Sequence, residues 1–576
     1  MTSLSTGKTS AGFIIALIVL SVSVWLPRLQ GPLDLRFDAG VYYVLGTSLA
    51  EGKGYRLLNE PGEIRAVQYP PGLPLLIASI QKIAGTSDAA VAGFWLRLTY
   101  LAMFVAFVLA VYALSTRYLA PGFAFLATLV TLLHANTIWM SELLFSEIPY
   151  ALMSMLFLLA AGQKAATARE SASGLLGVTG FLLRSTGLAL LAAWVGESLF
   201  RRQFRQMAVR CLVALLPVIL WQGYTVTVKT GADYAEWQYA YQRTPYQFYN
   251  VTYTDNLAYV DPFIPELGTV TPTLLGKRIA LNLLSMPASL GQALSARADW
   301  SRTQFERINE SLRWISLPLW LVDLGLIALG GLSCVGLLLL ARRGEYLIPL
   351  YVAAALALIC LTPWPGQFSR YLTPLAPLIA LGLCVTLAAA LEKFKSSAVS
   401  SLKYGTIGFV FVVCLGIFGQ EAFALWKIYS KQYEFGLTYF EDEQGVRHPY
   451  RLLFYTEEWA AHDDALAWLK ERAAPPDVVA TSTPHWFYLK SGIKSVLPPF
   501  EPDTGEAQRL LEDVPIRYLV VDSLEFVDIT RRYALPAVEA FPERWELVFS
   551  SGDSGSQIFR LRDSAGNTES LREVPR

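Results

Sequence analysis

Five charged side chains beside long apolar runs could carry proton and phosphate chemistry in this 576-residue chain. They are Asp38 in FDAGVYY (37–43), Glu142 and Glu147 in SELLFSEIPY (141–150), Arg184 in LLRSTG (182–187) and Arg370 in SRYLTP (369–374). A carboxylate can take the proton of a hydroxyl group, and a guanidinium can hold a phosphate through two parallel hydrogen bonds. These residue types at the ends of apolar segments indicate a candidate site at a membrane surface.

Each of these side chains also has a structural interpretation. Asp is common at helix N-caps, so Asp38 could cap the helix that follows it. The two glutamates could be acids at a helix start, where the helix dipole favours negative charge. Arg184 could extend its charged end out of an apolar layer, and Arg370 could anchor a span at the interface beside the next tyrosine. The residues alone leave both interpretations open.

The composition indicates a membrane protein. Hydrophobic residues make up 53% of the chain, charged residues make up 16%, and the mean hydropathy is +0.39. Several runs of about 20 apolar residues predict many membrane-spanning helices. The formal net charge is zero, which argues against nucleic acid as a partner. The five cysteines all lie in or beside apolar runs, so they indicate neither a disulfide framework nor a zinc site.

The distribution of Lys and Arg orients the predicted spans, because these residues concentrate on the cytoplasmic side. Lys8 places the N-terminus inside, and residues 11–26 read as an uncleaved first span. The loops 30–92 and 229–310 then face outward. About eleven transmembrane helices result, if one hairpin of two short helices counts as two.

That hairpin is predicted within residues 174–200. Positive charges precede it in 163–170 and follow it in 201–206, so both of its ends face the cytoplasm. The stretch is too short for two full crossings, and two short helices with Arg184 at their apex resolve the conflict. An arginine at depth in a membrane is costly and usually faces a cavity or a partner.

The chain divides into two predicted domains, a membrane domain over 1–428 and an external domain over 429–576. The second is polar and alternates helix-like with strand-like segments, which predicts a small α/β domain with a parallel core. The sequence therefore predicts a polytopic α-helical membrane protein with a C-terminal external α/β domain.

Within the first external loop, two short helices are predicted. Apolar residues recur on one side of residues 41–49, which favours a helix lying on the membrane surface. Residues 73–80 predict a second helix that starts after a proline pair and is too short to span.

Three motifs of this loop resemble the first external loop of the GT-C superfamily, the polytopic glycosyltransferases that take sugars from polyprenyl-phosphate carriers. They are FDAGVYY (37–43), GKGY (52–55) and YPPGLPLL (69–76). The resemblance is strongest to the bacterial branch with the aminoarabinose transferases and protein O-mannosyltransferases. It departs at Ala39, where many relatives carry a second acid.

The resemblance implies roles for the charged residues named above. Asp38 corresponds to the catalytic base, and Glu147 to an acid that holds the acceptor, tunes the base or helps to bind a metal. Arg184 and Arg370 correspond to residues that hold the donor phosphate. Four further residues are expected to contact the substrates: Tyr42, Tyr69, Glu142 and Tyr371.

The implied function is transfer of a sugar from a polyprenyl-phosphate donor to a lipid, glycan or protein acceptor on the outer face of the cytoplasmic membrane. A single displacement would invert the anomeric carbon, and a phosphate leaving group needs no general acid. The resemblance leaves open whether the reaction needs a divalent metal ion. Oligosaccharyltransferase relatives use one, whereas the closer branch is not generally built around one.

Two other classes are compatible with parts of the sequence. One is a transporter or flippase for lipid-linked sugars, although such proteins usually contain two related halves and this chain has none. The other is a non-catalytic subunit of envelope assembly, against which the presence of Asp38 argues.

Overall fold

The structure, a computed structural model, describes residues 2–29, 33–161, 167–236, 239, 251–295, 297–311, 318–395, 400–435, 437–441, 445–524, 528–552 and 555–562. Within these ranges the chain is mostly helical, with strands from residue 437 onward.

The helices up to residue 229 are α1 Thr2–Trp25, α2 Asp38–Ala50, α3 Gly72–Ala84, α4 Val91–Ser115, α5 Pro121–Leu133, α6 Ala135–Glu142, α7 Glu147–Ala161, α8 Thr167–Leu183, α9 Gly187–Phe200 and α10 Phe204–Lys229. The later helices are α11 Ala232–Ala235, α12 Tyr253–Ala258, α13 Pro272–Gln292, α14 Ala298–Ser311, α15 Trp320–Arg342, α16 Leu347–Cys360, α17 Phe368–Leu372, α18 Ala376–Lys395, α19 Ser400–Phe435, α20 Glu457–Lys470, α21 Pro484–Ser491, α22 Thr504–Asp513 and α23 Leu535–Ala540. The strands are β1 Leu437–Glu441, β2 Arg447–Arg451, β3 Val478–Ala480, β4 Ser495–Val496, β5 Ile516–Val521, β6 Trp545–Ser550 and β7 Gln557–Leu561.

The chain forms two compact units. The first, called the helical unit here, comprises Met1–Asp34, Pro70–Gly223 and Thr271–Phe454. The second, called the mixed unit here, comprises Leu35–Tyr69, Tyr224–Val270 and Tyr455–Arg576. The domain boundary at residues 428–429 stays a sequence-based prediction.

Six helical segments among the described residues are long and apolar enough to cross a membrane: Ser10–Arg28, Val91–Ser115, Phe204–Lys229, Trp320–Arg342, Pro365–Lys393 and Tyr404–Ser430. The pair α5 and α6 adds a seventh span if it is counted as one. Four shorter apolar helices (α3, α7, α9 and α16) have 13 to 15 residues, roughly 20 Å of helix against a hydrocarbon layer of about 30 Å. The polytopic helical fold is therefore confirmed, while the number of eleven spans stays a prediction.

Helices of the helical unit pack through small residues. Helix α15 lies between α13 and α18. A Cβ atom at Gly336 of α15 would collide with the carbonyl oxygen of Gly382 in α18, so the two backbones are in direct contact. Such close approach is typical of helices that associate in a membrane, where packing rather than the hydrophobic effect holds them together.

One predicted span is broken. The sequence predicts a continuous crossing over residues 122–139, but α5 and α6 meet at His134 with a bend of 56°. His134 Nε2 lies 2.9 Å from the Gln292 carbonyl oxygen, and the Ala135 N–H donates to the Glu421 carboxylate at 3.2 Å. These partners come from other parts of the helical unit, and they satisfy the polar groups that the break leaves without helical hydrogen bonds. Because the partners are distant in the sequence, the apolar run over 122–139 does not reveal the break.

The hairpin predicted around Arg184 is present as two helices, α8 and α9, which pack against each other and are separated by residues 184–186. Its depth in the membrane stays a prediction.

A five-stranded sheet forms the core of the mixed unit, with the order β4-β3-β5-β7-β6. Strand β3 pairs in parallel with β4 and with β5, where Ala480 faces Leu519. Strand β7 pairs antiparallel with β5 and with β6, and Leu519 faces Phe559. The α/β class is confirmed, but only half of the sheet is parallel, because the last two strands return as an antiparallel hairpin.

Helix α2 of the mixed unit differs from its prediction as an amphipathic surface helix. Residues Ala39 to Ser48 are all buried, including the glycines and the two tyrosines between them. The helix packs on α21 of the same unit. The apolar residues of α2 are therefore buried within the protein on more than one helix face, and not only on one face towards a membrane.

Candidate active site

Glu147 joins the two arginines that the sequence assigned to phosphate binding. Its Oε1 atom lies 2.7 Å from Arg184 Nη1 and 2.5 Å from Arg370 Nε. The carboxylate is fully buried, whereas the side chains of Arg184 and Arg370 keep 13% and 18% of their surface exposed. Two positive charges and one negative charge leave this cluster with one net positive charge.

The local fold explains why these three side chains meet. Glu147 is the first residue of α7, Arg184 follows the last residue of α8, and Arg370 lies in the short helix α17. All three belong to the helical unit. The second carboxylate oxygen of Glu147 has no hydrogen-bond partner among the described residues. The carboxylate therefore aligns two guanidinium groups and retains acceptor capacity.

Aromatic rings and a hydroxyl surround the two guanidinium groups. The Arg184 Cζ atom lies 5.7 Å from the centre of the Tyr371 ring, and Arg370 Cζ lies 4.1 Å from the Phe145 ring. Arg184 Nη1 also donates to the Ser146 hydroxyl at 3.3 Å. Stacked cations of this kind are partly desolvated, which strengthens their attraction to an anion. The predicted substrate contact Tyr371 thus lies at this cluster.

A buried set of hydroxyl groups supports the turn that carries Arg184. The Tyr150 hydroxyl lies 3.3 Å from the Thr186 carbonyl oxygen and 2.9 Å from the Tyr351 hydroxyl. Tyr351 reaches Ser154 at 3.3 Å. The sequence analysis missed these residues. A signal existed for Tyr150, which follows Glu147 by three positions and therefore shares its helix face, but Tyr351 is a lone polar group within an apolar helix.

The YPPG motif packs directly behind the Arg184 turn. A Cβ atom added at Gly72, the first residue of α3, would lie 2.6 Å from the Leu182 carbonyl oxygen and 2.8 Å from the Leu183 nitrogen. Only glycine permits this approach of two backbones. The motif therefore fixes the end of α8, immediately before Arg184.

Glu142 has a different partner. Its carboxylate lies 3.0 Å from Arg28 Nη1, and both side chains are almost fully buried. Arg28 Nη1 is also 3.3 Å from the Ile138 carbonyl oxygen, and the Arg28 carbonyl accepts a hydrogen bond from Arg97. These contacts hold the end of α1 against α6. Glu142 thus lies in a buried ion pair, and its expected substrate contact stays a prediction.

Asp38 is the first residue of α2 in the mixed unit. Phe37, not Asp38, is the N-cap, and it makes no side-chain capping hydrogen bond. The Asp38 side chain is half-buried. Phe37 has φ 56° and ψ −141°, a strained backbone conformation for a residue with a side chain. Asp38 therefore occupies the first turn of α2 and not its N-cap position.

Tyr42 and Tyr69, the other two expected substrate contacts, pack on each other. Their ring centres are 4.9 Å apart. Tyr42 follows Asp38 by four residues and lies on the same helix face, while the Tyr69 carbonyl accepts a hydrogen bond from the Tyr55 hydroxyl at 2.9 Å. The structure thus brings together two residues from separate motifs of the first loop.

Among the residues that the structure describes, no three His, Cys, Asp or Glu side chains are grouped so that they could hold a metal ion.

No family model matches this chain, and no curated protein matches its sequence. Solved structures do match its fold. The structure of ArnT from Cupriavidus metallidurans bound to undecaprenyl phosphate aligns with a TM-score of 0.50 and 11% identity, over 95% of this chain and 98% of that chain. The oligosaccharyltransferase of Archaeoglobus fulgidus in its apo form aligns with a TM-score of 0.52 and 15% identity, over 97% of this chain and 75% of that chain. The chain therefore shares the overall fold of these two proteins.

Proposed function

We propose that this protein transfers a sugar from a polyprenyl-phosphate carrier to a hydroxyl-bearing acceptor at the outer face of the cytoplasmic membrane. The observation that carries the proposal is the convergence of Arg184 and Arg370 on the buried carboxylate of Glu147. It supplies fixed positive charge within a fold shared with a protein solved with undecaprenyl phosphate bound.

The arginines hold the phosphate of the donor. Their guanidinium groups are partly exposed and already oriented, so little side-chain freedom is lost when an anion binds. As the bond between the sugar and the phosphate breaks, negative charge grows on the departing phosphate. Preorganised donors stabilise that charge more in the transition state than in the ground state.

Glu147 orients the two guanidinium groups and keeps them from folding towards other acceptors. This assignment makes Glu147 chiefly a positioning residue, which sharpens the role that the family resemblance implied.

Asp38 is the general base of the proposal. It takes the proton of the acceptor hydroxyl while the acceptor oxygen forms a bond to the anomeric carbon. The bond from that carbon to the phosphate oxygen breaks, polyprenyl phosphate leaves, and the configuration at the anomeric carbon inverts. The strain at Phe37 supports the assignment, because such strain tends to occur at functional sites.

The acceptor is a lipid, a glycan or a protein. The N-terminus lies in the cytoplasm, and the C-terminal part of the chain faces outward. The distribution of Lys and Arg supports this orientation.

A transfer assay tests the proposal. Full-length protein in lipid nanodiscs is mixed with polyprenyl-phosphate-linked radiolabelled hexoses, pentoses and aminopentoses, with membranes from cells lacking the protein as acceptor. We expect label to move from one donor to the acceptor fraction, with an inverted anomeric configuration in the product. Movement of intact labelled lipid across proteoliposomes without transfer would instead favour a flippase. Neither activity, with no binding of undecaprenyl phosphate, would favour an assembly subunit.

A further inference from the structure

The backbone directly before Asp38 is strained and needs support. Phe37 has a positive φ of 56° with ψ −141°. A conformation of this kind is energetically costly and persists only when neighbouring contacts enforce it. Since Phe37 sets the direction in which α2 and the Asp38 side chain begin, whatever holds Phe37 also sets the position of the carboxylate.

Those contacts come from the C-terminal part of the mixed unit. The Phe37 ring meets the Trp459 ring edge to face, with the ring centres 5.5 Å apart. Arg36 is fully buried, and its Cζ atom lies 5.0 Å from the Trp459 ring and 5.8 Å from the Tyr455 ring. Trp459 itself is 4% exposed. One indole therefore fixes both residues before Asp38.

A second contact fixes the helix that Asp38 begins. A Cβ atom at Gly40 would lie 2.9 Å from His485 Cβ in α21. Helix α2 thus lies directly on α21. His485 is buried, and burial lowers its pKa to about 3, so this contact involves a neutral imidazole at physiological pH.

A third set of contacts fixes the far side of the loop. The Asn59 carbonyl accepts a hydrogen bond from the Ser495 N–H at 2.8 Å, and Asn59 Nδ2 donates to the Ser495 carbonyl at 3.0 Å. The Lys494 ammonium lies 2.8 Å from a Glu63 oxygen and also donates to the Leu58 carbonyl. Residues 58–63 of the loop are therefore attached to β4 and the residue before it.

We infer that the C-terminal α/β segment, residues 455–562, positions the first loop for catalysis, and that Trp459 is the positioning residue for Asp38. The inference rests on the proposed role of Asp38 as the base. It gives the C-terminal segment a function in the reaction besides any contact with the acceptor. A misplacement of about 1 Å at a reacting group can cost about 10²-fold in rate, so a small shift of α2 is sufficient for a large effect.

The test compares Trp459→Ala and Trp459→Phe with the control Trp468→Ala in full-length protein in nanodiscs. Trp468 is a tryptophan of the same helix, α20, that packs on Tyr518 and Phe549 instead. Two quantities are measured: amide hydrogen exchange over residues 36–50, and kcat and KM for sugar transfer. Amide exchange does not depend on activity. It therefore tests whether Trp459 holds residues 36–50 in place even if the protein transfers no sugar.

We expect Trp459→Ala to raise exchange in 36–50 and to lower kcat at least about tenfold, with donor affinity within about twofold of the wild type. Trp459→Phe keeps an edge-to-face partner for Phe37, so exchange in 36–50 and kcat should both stay close to the wild-type values. Increased exchange with an unchanged kcat would overturn the inference, and so would a reduced kcat with unchanged exchange. Wild-type protein without any transfer activity would overturn the proposed function instead.

Lys494→Met provides a second variant in case Trp459→Ala does not fold. It keeps the aliphatic stem of a side chain that is 32% exposed. It removes the ammonium contacts to the Leu58 carbonyl, the Glu63 carboxylate and the Tyr488 ring. We expect a smaller fall in kcat than in Trp459→Ala. We also expect a smaller rise in amide exchange, located over residues 55–66. Wild-type exchange and wild-type kcat in this variant would count against the inference.

Discussion

Glu147 and Arg370 are separated by 223 residues in the sequence, yet the Glu147 carboxylate lies 2.5 Å from the Arg370 Nε atom. The same carboxylate oxygen lies 2.7 Å from Arg184. A single buried acid therefore determines where two cations point. The consequences of this arrangement differ for stability and for donor binding, and the two can be measured separately.

Removal of the Glu147 carboxylate should destabilise the protein. Glu147→Ala leaves two guanidinium groups close together without their shared counter-ion, and loss of one partner of a buried pair costs about 3–5 kcal/mol. Glu147→Gln keeps a hydrogen-bond acceptor and should lie between Ala and the wild type. The unfolding temperatures of the three proteins, measured in the same detergent, give the order of their stabilities.

The matched control for Glu147 is Asp323→Ala. Asp323 pairs with Arg302 at 2.8 Å, but both side chains are well exposed, and exposed pairs contribute about 0–1 kcal/mol. Its unfolding temperature should stay close to that of the wild type. An equal effect of the two substitutions would show that burial at Glu147 has no special importance.

Arg184→Ala should weaken donor binding. A hydrogen bond to a charged group contributes about 1.5–3 kcal/mol, so the Kd for undecaprenyl phosphate should rise about tenfold or more. Lysine should restore the affinity only in part, because it lacks the planar pair of donors. Native mass spectrometry or a fluorescent-lipid titration measures the Kd. Arg302→Ala serves as the control cation, and wild-type affinity in Arg184→Ala would exclude this residue from the site.

Gly72→Ala should act on the same quantity without touching the donor. The added Cβ would collide with the backbone at Leu182 and Leu183, so the end of α8 must move and Arg184 must move with it. The Kd for undecaprenyl phosphate should therefore rise, by up to the roughly tenfold or larger change expected for loss of Arg184 itself. Gly122→Ala is the matched control, since Gly122 also lies in a first helical turn and has open space around it. Unchanged donor affinity in Gly72→Ala would show that the YPPG contact does not position Arg184.

The sequence identified the residues of the cluster more readily than their arrangement. Glu147, Arg184 and Arg370 were selected because charge is rare beside apolar segments. Their convergence depends on the packing of α7, α8 and α17, which no local pattern contains. The break at Arg184 could be predicted because positive charges on both sides of 174–200 require the chain to return.

Other features depend on contacts that are distant in the sequence. The break at His134 lies in an uninterrupted apolar run, and its partners belong to α13 and α19. The burial of α2 depends on Trp459 and His485, far along the chain. Strands β3 and β5 form the parallel core that the strand-like segments of the C-terminal domain predicted. Strands β6 and β7 were missed because their alternating pattern is short and half exposed.

The orientation of the chain can be tested by cysteine labelling. In a variant whose five native cysteines are replaced by serine, a single cysteine is placed at Ser397 or at Ser554, both outside the described residues. An impermeant maleimide applied to intact cells should label Ser554→Cys and leave Ser397→Cys unlabelled, because Lys393, Lys395 and Lys403 flank Ser397. The reverse pattern would place the C-terminal segment in the cytoplasm and contradict the proposed topology.

The role of Asp38 can be settled with a substitution that changes its chemistry and little else. Asp38→Asn keeps the size of the side chain and its ability to accept a hydrogen bond, but it cannot take a proton from the acceptor. If Asp38 is the general base, turnover should fall at least about 10²-fold, the lower end for loss of such a group. Donor binding and the unfolding temperature should stay close to those of the wild type, because only the charge at the helix N-terminus is lost, worth about 0.3–1 kcal/mol.

A structural role for Asp38 predicts a different result. Phe37 is the N-cap of α2 and makes no side-chain capping bond, so an effect of Asp38 on helix stability would act through its charge at the helix N-terminus, worth about 0.3–1 kcal/mol. Asp38→Asn would then lower the unfolding temperature slightly and leave turnover intact. Asp233→Asn is a suitable control, since Asp233 also lies in a helical first turn of the mixed unit and pairs with Arg65 and Arg56. Near-normal transfer by Asp38→Asn would end the assignment of the base, whereas a large loss of kcat at unchanged donor affinity and unchanged stability is the combination that only proton transfer explains.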